Sequence, residues 1–479
     1  MVEMSRLRHL CICLLVLCTL AAGDLSAQPS SERKLRDDAL AAMKKAATFY
    51  RQQVASRGGY VYYYSEDLQQ RWGEGKASAD TIFVQPPGTP TVGMAYLAAY
   101  AASGDEFYLE AAREAAEALV YGQLESGGWT QTISFAPDKK TGKYRNGRGG
   151  SWNVSSLDDG QTQSALQLLI RADEALGLKH EAIHEAAEYG LTALLQAQFP
   201  NGAFPQSWRG PVEPQPVLKA RVPDYDWKTE RRLRNYWEYY TLNDNLAGTV
   251  SETLILAHQV YKDDKYRAAL ERLGDFLILA QLPDPQPGWC QQYDYEMYPI
   301  WARKFEPPAV TGWESQDVME TLIKIARYTG NTKYLQPIPR ALEYFSKSLL
   351  PDGRMARYYE FRTNKPLYMN AQYQLTYDSS AAPRHYGWTQ SSRLEKIKQA
   401  LESAQRNSSA AKIRSAKELE KDVQRSLKEL DSQGRWVTTY AGESLVGQTK
   451  FADSFRYISS GVFSQNMQTL SEYLNSVKE

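Results

Sequence analysis

From Ser30 onward, apolar residues mostly recur three or four positions apart, the spacing of one face of a helix. Ala165, Leu168, Leu169, Ala172 and Leu176 show it, as do Val318, Leu322 and Ile325, and then Leu335, Leu342, Phe345 and Leu349. The helical runs are interrupted by Ala-Ser-Gly-Asp at 102–105, by Gly177 and by Tyr-Thr-Gly-Asn at 328–331. These are turn residues, so the pattern predicts pairs of helices folded back on each other.

The predicted hairpins end in related loops. RGGYVYYYS begins at 57, SGGWTQT at 126, PNGAFPQSW at 200, PGWCQQYD at 287, PDGRMARYYEF at 351 and SQGRWVTTY at 432. Most carry one or two glycines, then an aromatic, then polar or aromatic residues in a short extended pattern. They return roughly every 65–85 residues, too long a period for the familiar solenoids. One helix pair per repeat, closed head to tail, gives an all-α fold: a toroid of helical hairpins, an (α/α) barrel, with short β-like loops gathered on one face. An open helical array satisfies the same periodicity. Residues 209–240 interrupt the rhythm with a Pro-, Arg- and Tyr-rich insertion whose aromatics predict packing over a cleft. Residues 391–430 are charged, with few large apolar side chains, and predict a solvated helical pair.

Composition narrows the function. The 479 residues carry 56 Lys plus Arg against 56 Asp plus Glu, which argues against a nucleic-acid partner. Five histidines, at 9, 180, 184, 258 and 385, leave few candidates for a zinc site or a His-based triad. At the N-terminus, Arg6 and Arg8 precede the apolar run LCICLLVLCTLAA and then small residues. That is the plan of an export signal, assigned to residues 1–27, with cleavage after Gly23 or Ala27. Leu17 before Cys18 does not suit a lipoprotein signal. After cleavage only Cys290 of the four cysteines remains, so no internal disulfide forms. The expectation is a bacterial periplasmic or secreted monomer, without stable membrane insertion after signal cleavage. Residues 31–479 are read as a single domain.

Three polar motifs sit at predicted helix starts: SSLDDGQTQSAL at 155–166, YYTLNDNLAGTV at 239–250 and AVTGWESQDV at 309–318. Singly, their Asp, Asn, Ser and Thr residues read as helix caps. In a ring of hairpins, however, equivalent helix starts converge, so Asp158, Asp159 and Asp244 line one mouth. Oxygen ligands without His or Cys suit a hard cation, calcium before magnesium or zinc. Arg303 and Glu306 lie in the dense connector WARKFEPPAVTGWES, and Arg384 lies in YDSSAAPRHYGW. Arginines offer a planar fork for carboxylates, which points to an acidic ligand; pairing of Arg303 with Glu306 or Asp294 explains it equally well.

Over about 120–390 the ordered series SGGWTQT, SLDDGQT, NGAFPQSW, TLNDN, GWCQQYD, ARKFEPPAVTGWES, ARYYEFRTNKPLY and PRHYGW resembles the pectate lyases of polysaccharide lyase family ten, which are built on an α-helical toroid. The resemblance implies calcium-assisted β-elimination on polygalacturonate or a related uronic-acid glycan. It implies Arg303 as the base that takes the C5 proton, Asp244 as a calcium ligand with Asp158 beside it, and Arg384 and Trp129 as holders of the sugar. Glu306, Asp159 and His385 join the residues expected to contact substrate. The chain departs from the family pattern in GGWTQT, where GGWPQ is usual. It departs again in Asp158-Asp159-Gly160-Gln161-Thr162, and in Arg384-His385, where paired arginines are usual.

Other functions use the same residues differently. A glycoside hydrolase needs two carboxylic acids flanking the bond, and Asp158, Asp244, Glu306 and Glu314 are candidates. A glycan-binding protein needs only the Tyr- and Trp-rich loops. A terpenoid cyclase shares helical pairs and Gly-Gly-Trp loops, but the chain has no DxDD motif.

Overall fold

The computed structural model describes residues 30–136, 141–383, 386–406 and 414–477. The expected signal segment, Arg384 and His385 therefore lie outside the described residues. The described helices are α1 (Ser30–Phe49), α2 (Thr89–Ser103), α3 (Glu106–Tyr121), α4 (Gln161–Ala175), α5 (Glu181–Gln196), α6 (Leu246–Tyr261), α7 (Asp264–Leu279), α8 (Gly312–Thr329), α9 (Ile338–Lys347), α10 (Leu394–Gln405), α11 (Ala416–Glu429) and α12 (Ser460–Ser476). None is long and apolar enough to cross a membrane. The charged 391–430 segment carries the two helices α10 and α11; α10 packs on α8 and α9, and α11 on α12 and α1.

The helices build a curved double layer. An inner row packs in the order α12, α2, α4, α6, α8, α10, and α3, α5, α7 and α9 back it from outside. Helix α2 is nearly free of charge and buries residues around much of its circumference, as an inner helix must. Helix α9 presents Ile338, Ala341, Tyr344 and Phe345 inward and polar residues outward, as suits an outer one. One continuous core runs from Ala39 to Val477. Helices α2, α4, α6, α8 and α10 together border a cavity of about 760 Å³ between Met94, Gln167, Leu256 and Ile323.

The loops take the short β form expected of them: they make one five-stranded sheet, one four-stranded sheet and several two-stranded ribbons. Their pairing follows a rule, to which α10 is the exception: Thr389–Gln390 before it pairs with Met355–Ala356 after α9. The strand before an inner helix pairs with the strand after the outer helix of the same hairpin. Thr81–Phe83 pairs with Thr132–Ser134, Ser155–Ser156 with Ser207–Trp208, Tyr240–Thr241 with Gln292–Tyr293, and Val310–Thr311 with Tyr358–Tyr359. The last case joins the chain ends: Arg456–Ser459, before α12, pairs with Tyr63–Ser65, which follows α1. Helix α1 packs on α11 and α12, so one repeat is shared between the two ends of the chain.

Each Gly-plus-large loop is a latch. The indole N–H of Trp129 donates to Leu119 O at 2.9 Å, that of Trp289 to Leu277 O at 2.7 Å, and that of Trp436 to Ser426 O at 2.8 Å. The backbone N–H of the same position is held by the next inner helix: Tyr60 by Thr89 Oγ1, Trp129 by Thr162 Oγ1 and Trp289 by Ser315 Oγ. A glutamine just past three of the outer helices, α3, α5 and α7, completes the join. Gln198 donates to Gly202 O and Ala269 O and accepts from Arg272; Gln123 and Gln281 do the same in their repeats, with Arg145 and Arg340 as donors. Buried backbone carbonyls between hairpins thereby find partners. Gly202 is required by this packing: its φ is +94°, and a Cβ there would lie 1.8 Å from Arg272 O.

Candidate active site

Two turns at neighbouring inner-helix starts have the same backbone. Asp159 and Gly160 are both left-handed, with φ of 46° and 73°; Asp244 and Asn245 repeat this with 52° and 54°. Left-handed backbone at a non-glycine residue is strained by roughly 1–3 kcal/mol and persists where the surroundings enforce it. Here it brings Asp159 and Asp244 together. Carboxylate oxygens of Asp158, Asp159 and Asp244 all lie within 4.8 Å of one another. Asp159, expected among the substrate contacts, is thus the structural counterpart of Asp244 and belongs to the acidic group.

Amide side chains hold the acids in place. Gln206 Nε2 donates to Asp158 Oδ1 at 2.6 Å, Gln85 Nε2 to Asp159 Oδ2 at 3.1 Å, and Asn243 Nδ2 to Asp244 Oδ2 at 2.6 Å. Gln206 stands two positions beyond the loop's latch residue, Phe204. The same register places Gln131 on Gln85, Gln291 on Asn243 and Glu314, and Arg357 on Glu314. This alternation along a strand, latch inward and second residue to the cleft, is what turns repeated loops into a site wall.

Three negative charges at this spacing are poorly balanced. Asp159 opens to the cleft but is crowded by protein. Desolvation first, then the charges of Asp158 and Glu74, push its pKa up to about 6, with Arg303 opposing. Asp244 is raised well above the carboxylate range by desolvation and by both neighbouring aspartates, while Arg303 and Arg357 pull it down. An all-oxygen, electron-rich cluster with suppressed ionisation is what a hard dication would relieve, so the donor set fits calcium.

Arg303 faces this cluster. Its guanidinium lies 3.6 Å from Asp158 Oδ2 and 3.5 Å from Glu306 Oε1. Desolvation pulls its pKa down, but Glu306, Asp158 and Asp244 outweigh that, and the net shift is upward. Glu306 is 2% exposed, with its pKa raised by burial. It accepts from the Arg303 backbone N–H at 3.0 Å and from Tyr386 Oη at 3.2 Å. Its expected role as a substrate contact is corrected accordingly: it shapes the turn that presents Arg303.

Trp129 needs the same correction. It is wholly buried as a loop latch, so its ring has no free face for a sugar. Glu314, one of the acids considered for hydrolysis, is also wholly buried and pairs with Arg357 at 3.2 Å. Arg357 was not among the expected site residues. Its guanidinium lies 4.4 Å from the ring centre of Tyr386 and 5.2 Å from that of Trp313. Gln85 and Glu74 come from before residue 120, outside the stretch that carries the sequence resemblance. A clue to Arg357 was present in the sequence, because it occupies the same loop register as Gln206 and Gln291. Nothing local marked Gln85.

The 209–240 insertion packs on the cleft wall as expected. Arg231 bridges Asp294 at 2.5 Å, Arg232 lies 3.9 Å over Trp301, and Trp301 Nε1 donates to Trp227 O at 2.9 Å. Burial raises the phenol pKa of Tyr236, from the same segment, and the charge of Arg303 opposes that rise.

No family model and no curated protein matches this chain. Among solved structures it is similar to a family 10 polysaccharide lyase from Cellvibrio cellulosa, seen as a variant in complex with trigalacturonic acid, at 17% identity and a TM-score of 0.46 over 66% of this chain and 98% of that one. A D-mannose isomerase matches at 14% identity and a TM-score of 0.42, over 70% of this chain and 76% of that one. A cellobiose 2-epimerase from Bacillus thermoamylovorans matches at 12% identity and a TM-score of 0.38, over 78% of this chain and all of that one, 100%. All three TM-scores are below 0.5, so the chemistry of the site has to be read from its own residues.

Proposed function

We propose that the protein is a polysaccharide lyase that cleaves a uronic-acid glycan by β-elimination, with calcium, on a closed helical toroid. The observation that carries this is the placement of Arg303, 3.6 Å from one member of a convergent group of aspartates at the inner-helix starts. A uronate's C5 proton is weakly acidic because the adjacent carboxylate is already negative. Elimination therefore needs positive charge at that carboxylate and a base at C5. A dication held by Asp158, Asp159 and Asp244 would offset the uronate's charge and weaken the field that keeps Arg303 protonated. Arg303 is the group placed to take the proton. Glu306 holds both its backbone N–H and its guanidinium. Arg357, charged and backed by Glu314, supplies a second positive group on the same wall. Arg384 remains a proposed sugar contact, with His385 beside it. The protein acts as an exported monomer in this proposal.

A second reading has one specific observation in its favour. Asp159, held near pKa 6 beside Asp158, resembles the acid of a hydrolytic pair. The products separate the two. Elimination forms a 4,5-unsaturated uronide that absorbs in the ultraviolet, and hydrolysis forms only reducing ends. With polygalacturonate, absorbance is expected to rise with calcium, not with chelator, and to fall by roughly 10²–10⁴-fold in Arg303→Ala. New reducing ends without absorbance would replace the lyase with the hydrolase.

A further inference from the structure

The strand pair Ser155–Ser156 and Ser207–Trp208 runs away from the aspartates like a rail. At one end Gln206 holds Asp158. At the other, Arg209 lies 5.4 Å over the ring of Trp152, which is 57% exposed. Three residues of extended chain separate Gln206 from Arg209, about 10 Å at most. On the facing side Trp237 lines a pocket of about 240 Å³ with Trp208, Arg209, Glu213 and Glu238. Among the described residues, Arg209, Glu213 and Glu238 form no ion pair, and Glu238 Oε2 accepts from Asn235 Nδ2 at 3.4 Å. A pocket with two indoles and polar heads outside ion pairs is suited to a pyranose ring, whose C–H face stacks and whose hydroxyls both donate and accept.

We infer that this pocket is a distal subsite for a neutral sugar, so that the substrate is a heteroglycan with a uronate at the reacting position and a neutral pyranose beyond it. The inference rests on the lyase reading for the uronate and on the pocket itself for the neutral ring. Charge decides between sugars. Two carboxylates against one guanidinium disfavour a second uronate there, while carboxylates accept well from hydroxyls. The size admits a single ring. Arg209, Glu213, Trp237 and Glu238 come from the 209–240 insertion, and Trp208 from the NGAFPQSW loop just before it.

The test compares polygalacturonate with a polymer alternating galacturonate and rhamnose, in wild type, Trp237→Ala and Arg209→Ala. The expected result is a lower KM on the alternating polymer. Trp237→Ala should raise that KM about tenfold and leave polygalacturonate kinetics unchanged. Equal KM values on the two polymers, or equal losses on both in the variant, would overturn the inference. Calorimetric binding of the same polymers separates the two claims. If neither polymer yields unsaturated product but the alternating one binds, and binds more weakly in both variants, the subsite stands and the lyase reading falls. If polygalacturonate is cleaved and the variants bind both polymers as wild type does, the lyase stands and the subsite falls. If the wild type neither cleaves nor binds either polymer, both fall.

Discussion

At the scale of single residues, the site is a problem in unbalanced charge. Asp159 with a pKa near 6 is still largely protonated at pH 5, because burial and two acidic neighbours disfavour its anion. Cation binding needs the anion, so protons compete with calcium. The direction follows: the Asp159 contribution to affinity is full well above pH 6 and declines as the pH falls through 6. Calorimetric titration at pH 8 and pH 5 should differ by about tenfold from Asp159 alone. A pH-independent affinity over that interval would remove Asp159 from the ligand set. Glu306 shows why chemistry cannot be assigned from residue type alone. It is acidic and next to the proposed base, yet its burial and its bonds to the Arg303 turn make it a support.

At the scale of elements, the recurring loops are joints first and site walls second. The large residue of each loop turns inward, while the residue two places on reaches the cleft. Trp289→Phe keeps a buried ring but strips Leu277 O of its indole partner. The expected loss is ~1–3 kcal/mol of unfolding free energy by urea titration, the range for orphaning a buried acceptor. Trp237→Phe, in the half-open pocket, should change that free energy by less than about 0.5 kcal/mol. Similar losses in the two variants would show that the latch bond contributes little beyond ring burial.

For the whole molecule the informative contact is between the ends. A linear stack of helix pairs couples only neighbours and unfolds in parts. Here Tyr63, Tyr64 and Ser65 pair with Ser459, Ile458 and Tyr457, and the first described helix packs on the last. These contacts build the two chain ends into one repeat, so neither terminus of the described chain is a loose end. We therefore expect one calorimetric transition for the chain, with van't Hoff and calorimetric enthalpies in agreement. Two transitions, one confined to the repeats at either end, would show that those repeats form a separate unit.

Helical periodicity, turn chemistry and the order of the loops were legible in the sequence because they are local: they depend on residues a few positions apart. The convergence of Asp158, Asp159 and Asp244 could be argued from repeated motifs, because equivalent positions in a curved array fall on one face. The burial of Trp129, Glu306 and Glu314 could not, since exposure depends on what packs above a residue, and here that comes from helices and loops far along the chain. Arg357 reached the site through strand register, and Gln85 through a contact across 74 positions with Asp159. Periodicity thus determined the elements and their sequence, and the tertiary structure alone decided which polar groups face solvent, because burial and charge pairing are set by distant neighbours.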